Sequence, residues 1–92
     1  MVFVDKIKAA REAKSIPQKQ VAKALNIDVP MYSRIERGER PAKKDQVVAI
    51  AHYLGIDEKE LLNLWLAEKV LNLVNNVEDA GAILDIVSNN IE

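Results

Sequence analysis

Ninety-two residues suit one small domain, 49% of them are apolar, and the absence of cysteine excludes both a disulfide framework and a thiolate metal site. No apolar run approaches the roughly 18 residues of a membrane span, and the start, MVFVDKIKAAREAK, turns charged before an apolar stretch of signal-peptide length has formed. A soluble, cytoplasmic protein is expected. The net charge of −1 hides an asymmetry: residues 1–53 carry eleven Lys/Arg against six Asp/Glu, whereas residues 54–92 carry two against eight. The local field, not the total, steers association with a polyanion, so the first part is free to meet phosphate.

In chain order, every periodic stretch reads as helix. A first helix over about residues 3–14 sets Ile7, Ala10 and Arg11 on one side at the i, i+3, i+4 spacing. Pro17 interrupts it and suits the first turn of a second helix, about 17–25, with Val21, Ala22 and Leu25 inward. Asn26 tolerates the left-handed conformation that ends a helix. A third helix follows, N-capped by Asp28 through a bond from the Met31 N–H or one nearby. Val29 and Pro30 are then its first two residues, where a missing N–H costs little.

A fourth helix, about 44–54, shows Val47, Ile50, Ala51 and Leu54 on one face and stops at Gly55. Asp57 and Glu60 form a capping-box-like start to a fifth, which continues through LLNLWLAEKVLNLV. A sixth, about 77–90, aligns Val77, Ala80, Ile83, Leu84, Val87 and Ile91. Gly81 inside it costs about 1 kcal/mol relative to alanine, so it needs packing to persist. No strand is predicted, and the fold class is all-α.

At about 100° per residue, the third helix places Met31, Tyr32 and Ile35 on one side. Val29, Pro30, Ser33, Arg34 and Arg37 fall on the other. An outward face with two apolar residues at its start and arginines further along suits a DNA major groove. Apolar contacts there meet the thymine methyl, and arginine bonds guanine O6 and N7. The bland alternative is a helix start followed by solvated arginines.

The stretch AREAKSIPQKQVAKALNIDVPMYSRIERGERP resembles the phage-repressor and Cro-type helix-turn-helix family, the XRE group. The matching signs are Gln18 opening the second helix, Ala22 within it, the block from Ser33 to Gly38 closing the third, and a basic loop with Pro41. The resemblance spans roughly residues 3–66. It implies a five-helix repressor-like domain, placed at residues 1–76; residues 67–92 lie largely outside it, and their periodicity alone extends the fifth helix and adds a C-terminal helix over residues 77–92. It also implies base readout by Val29, Pro30, Ser33 and Arg34, and a phosphate held by Gln18. Many relatives carry polar groups where this chain has Val29 and Pro30, which favours thymine-methyl and guanine readout. Ser15 and Asn26 stand at turn positions where glycine is common. The resemblance further pairs the inward Arg11 with Glu36.

Lys19, Lys23, Arg37, Arg40, Lys43 and Lys44 complete the expected phosphate contacts, which position a domain without reading sequence. On the fifth helix, Leu62, Leu66 and Val70 form one stripe and Leu64, Ala67, Leu71 and Val74 another, more than one core requires. A homodimer through Leu62, Leu64, Leu66, Val70, Leu71 and Val74 is expected, with double-stranded DNA as partner and the acidic part turned away from it. A second reading makes residues 77–92 a docking segment for another protein, as in an antitoxin; they would otherwise cover the fifth helix or a dimer mate. An enzyme is the weakest reading. His52 is the sole histidine, no catalytic cluster is apparent, Asp57 and Glu60 are helix-start residues, and neither cofactor nor metal is implied.

Overall fold

The computed structural model describes residues 1–91; Glu92, the last residue of the predicted extension, lies outside them. Among these described residues six helices follow one another: α1 (Val2–Ala13), α2 (Gln18–Ala24), α3 (Val29–Glu36), α4 (Lys44–Leu54), α5 (Glu58–Val74) and α6 (Ala80–Asn89). Among the described residues there is no strand. The expected all-α class is what the chain adopts. No described helix is long and apolar enough to cross a membrane.

One core joins α1 to α5. Phe3, Val4 and Ile7 of α1 meet Val21 and Ala22 of α2, Tyr32 and Ile35 of α3, Val47, Ile50, Ala51 and Leu54 of α4, and Leu61 of α5. Burying each large apolar side chain is worth about 1.5–3 kcal/mol. These residues therefore fix the relative placement of the first five helices. Met31, expected inward on α3, is only half-buried, and the helix's buried residues are Tyr32, Ile35 and Glu36. Beyond Leu61, α5 has no fully buried residue, and α6 has none at all.

Four helices end in one hydrogen-bond pattern. After α1, Ser15 N–H reaches Glu12 O and Ile16 N–H reaches Arg11 O. After α2, Asn26 and Ile27 bond Lys23 O and Ala22 O; after α4, Gly55 and Ile56 bond His52 O and Ala51 O. After α3, Gly38 and Glu39 bond Ile35 O and Arg34 O. This is the Schellman closure, in which a left-handed residue satisfies the last carbonyls and the next residue turns back onto the helix. At three of the ends those next residues are Ile16, Ile27 and Ile56, and all three pack against the core; at the fourth it is the exposed Glu39. The Lys14 ammonium adds a bond to Leu54 O at 2.6 Å, placing a cation at the negative end of α4.

Ser15 adopts φ 54° and Asn26 φ 57° at two of these ends. Asparagine tolerates the left-handed region better than serine. Ser15→Gly should therefore stabilise the domain by about 0.5–1 kcal/mol, raising the thermal midpoint by roughly 4 °C in a domain this small. Asn26→Gly should raise it less. A calorimetric scan ranking the two the other way would contradict this account.

The sixth helix starts later than its periodicity suggests. Asn75 (φ −63°, ψ 131°) and Asn76 (φ 67°) are the central pair of a type II turn closed by Val77 N–H on Val74 O at 3.0 Å. Val77 therefore precedes α6, and Gly81 falls in its first turn instead of its interior.

Candidate nucleic-acid interface

α3 is built to hold one face outward. The Asp28 carboxylate accepts the Met31 N–H at 2.7 Å, fixing the first turn with Val29 and Pro30 as its opening residues. Tyr32 and Ile35 are fully buried and lock the helix by its inner side. Val29, Pro30 and Arg34 are consequently exposed, while Ser33 is half-buried. The Arg37 guanidinium donates to Ser33 Oγ at 3.2 Å and to Glu39 Oε2 at 2.6 Å, so it lies along the helix surface instead of standing free.

Behind this face, Arg11 and Glu36 form a forked ion pair. Arg11 Nη2 donates to Glu36 Oε1 at 2.8 Å and Nε to Oε2 at 2.9 Å. The third arm, Nη1, reaches Ile16 O at 2.8 Å, and Gln18 Nε2 adds a weaker bond to Glu36 Oε1 at 3.3 Å. One carboxylate at the end of α3 therefore ties together the end of α1, the α1–α2 turn and the start of α2. Burial pushes the Glu36 carboxyl up, but the hydrogen bonds from Arg11 and Gln18 outweigh it and hold the group below the usual glutamate range. The Tyr32 hydroxyl, buried and without a hydrogen bond of good geometry, adds its pull on the same carboxylate. Burial pushes that hydroxyl's own pKa well up.

The side chain of Gln18 is thus turned inward, away from the phosphate role its position suggests. Its backbone N–H, at the first position of α2, has no acceptor within the helix and remains able to bind an anion. Lys19 and Lys23 are exposed and line one shallow groove with Asn26, Asp28 and Val29, so two of the expected phosphate contacts border the outward face of α3. Arg40, Lys43 and Lys44 are exposed on and beside the α3–α4 loop.

One helix start breaks the usual charge rule and another mixes the signs. Negative side chains favour a helix N-terminus, as Asp57, Glu58 and Glu60 do on α5. Yet α2 has no acid in its first turn and carries Lys19, and α4 sets Lys43 and Lys44 ahead of its first-turn acid, Asp45. A lysine at the positive end of a helix is unfavourable by a few tenths of a kcal/mol unless an anion shares the site. Local rules broken in this way concentrate at functional sites.

Sequence reasoning missed the support for this loop. The Trp65 indole N–H donates to Ala42 O at 3.1 Å, pinning the loop to α5, and Glu68 accepts the Phe3 N–H at 3.1 Å at the start of α1. The signals were a lone tryptophan and the one acid within the run LLNLWLAEKVLNLV, neither of which reveals its partner. As for the stripes proposed for dimerisation, Leu62, Leu64 and Val74 are half-buried while Leu66, Val70 and Leu71 are exposed.

No curated protein and no solved structure gives a match to the chain. A family model described as helix-turn-helix matches residues 7–61, more than half of the chain, from within α1 through the first turn of α5. The chain belongs to the Cro/C1-type (XRE) helix-turn-helix family and is a DNA-binding transcription regulator of that type.

Proposed function

We propose that the protein is a sequence-specific regulator acting as a homodimer on a palindromic operator, of the repressor or restriction–modification controller kind. The observation that carries the reading is the exposed Val29–Pro30–Arg34 face of α3, locked from behind by buried Tyr32, Ile35 and Glu36. In a helix-turn-helix the second helix of the motif enters the major groove, N-terminal residues first. Val29 and Pro30 would then meet thymine methyls, with Ser33 and Arg34 reading further bases and Arg34 suited to guanine. Lys19, Lys23, Arg37, Arg40, Lys43, Lys44 and the Gln18 backbone would hold phosphates. Replacing Lys44 by glutamine should lower the slope of log K against log salt by about 0.9 and weaken all duplexes nearly equally. An unchanged slope would remove Lys44 from the set.

The dimer reading is supported by Leu66, Val70 and Leu71, which are 43–53% exposed on one half of α5. A twofold arrangement sets reading helices about 34 Å apart, one DNA turn. The same exposed residues, together with Ile83, Ile86 and Val87 exposed on α6, support the second reading, a protein partner docked on the C-terminal helices. Selection of bound sites from random duplexes, with the complex mass measured in solution, tests both. A palindrome with half-sites about ten base pairs apart and two chains per duplex is expected. A stoichiometric second protein on purification, with single chains otherwise, would favour docking.

A further inference from the structure

An open trough of about 560 Å³ lies between the α3–α4 loop and α5, lined by Arg40, Pro41, Ala42, Lys43, Lys44, Trp65 and Lys69. Its lining holds four cations and no acid. None of the four makes an ion pair among the described residues. Lys69 instead sits over the Trp65 ring, its nitrogen 4.0 Å from the ring centre. All four are exposed on the walls of one trough, so their fields add there and favour an anion. The gathering is also held in place. The indole bond to Ala42 O fixes the loop that carries Arg40, Lys43 and Lys44 against the helix that carries Lys69. Lys69 lies beyond residues 7–61, the part of the chain that the family accounts for.

We propose that this trough is a phosphate seat, with Lys69 of α5 closing it opposite the loop cations. Its occupant is either a backbone phosphate of bound DNA or the phosphate of a free ligand. The first source rests on the operator reading above; the second does not. A phosphate oxygen entering the trough meets three ammonium groups and one guanidinium, the point-charge and forked donors that suit it. Trp65, the single tryptophan of the chain, forms one wall and so reports occupancy through its emission.

The test uses the wild-type chain, Lys69→Gln and, as a control on the same helix away from the trough, Lys59→Gln. In one arm, affinity for a selected duplex is followed against salt. In the other, Trp65 emission is titrated with inorganic pyrophosphate at constant ionic strength, without DNA. If DNA fills the seat, Lys69→Gln lowers the salt slope by about 0.9 while pyrophosphate leaves emission unchanged. If a free phosphate fills it, emission saturates with pyrophosphate in the wild type and Lys59→Gln but not in Lys69→Gln, and the salt slope is unaltered. Lys69→Gln behaving as wild type in both arms overturns the proposal. Failure of every duplex to bind would defeat the operator reading alone, and the pyrophosphate arm would then decide the seat.

Discussion

Glu36→Gln should lower unfolding free energy by about 3 kcal/mol, the low end for breaking a buried pair from one side. The low end applies because Arg11 keeps its bond to Ile16 O and is 13% exposed at its side chain, against 3% for Glu36. Arg11→Met should cost a similar amount by stranding the carboxylate. The double variant should cost less than either single change, because removing both charges also removes their desolvation penalty. Urea unfolding of the four proteins checks this, and simple additivity would show that the pair is not coupled. The pH dependence has a definite sign. The Glu36 carboxyl is lowered below its ordinary value of 4.5, so its contribution is complete above that value. As pH falls, the unfolded chain takes up the proton first, and the contribution disappears once the folded carboxyl protonates too. Stability should therefore fall below about pH 4.5 more steeply in the wild type than in Glu36→Gln. Because this carboxylate joins α1, the α1–α2 turn and α2 to α3, the variant should also bind DNA less tightly at neutral pH while still folded.

The parts of the fold legible in the sequence were those set within a turn or two of chain. Asp28 could be read as a cap because its acceptor reaches only to Met31, and Gly55 as a stop because its own φ is at issue. Pro30 was tolerable for an equally local reason, the unpaired N–H groups of a first turn. The same locality misled at Val77. Its side chain fits the helical period of α6, but periodicity counts side chains and is blind to backbone torsions, and Asn75–Asn76 had already bent the chain. Ile16, Ile27 and Ile56 went unread as helix-end contacts because they fall outside the periodic stripes. The recurrence of isoleucine directly after a left-handed residue was the available sign.

The candidate site divides along the same line. The outward side of α3 follows from the angle per residue and the buried Tyr32 and Ile35, all inside one helix. Where Gln18 points does not, because Glu36 draws its amide inward from eighteen residues away. Arg37 is diverted by a carboxylate only two residues on, Glu39, a short-range pair that charge spacing does expose. Trp65 is bonded to a residue more than twenty positions earlier and Lys69 shares a trough with that loop, and nothing in either stretch names the other. Long-range polar pairing is decided by packing, and packing is what a single sequence leaves implicit.

Arg34→Ala should weaken binding to the selected operator by about 1–3 kcal/mol, roughly five- to 150-fold, and binding to random duplex far less. The contrast follows from its position. Arg34 is exposed on the same face as Pro30, one turn further along α3, and makes no ion pair among the described residues. A free guanidinium there has its donors available for a guanine edge, unlike Arg37, which is engaged by Glu39 and Ser33. Lys44→Gln is the useful comparison, since a phosphate contact lowers operator and random affinities together and reduces the salt slope. Measured side by side, the two variants separate reading from holding. If Arg34→Ala reduced both affinities equally, Arg34 would be a phosphate contact, and readout would fall to Val29, Pro30 and Ser33. Those three lack a donor fork for guanine, so the selected site would then have to be recognised through thymine methyls and groove shape.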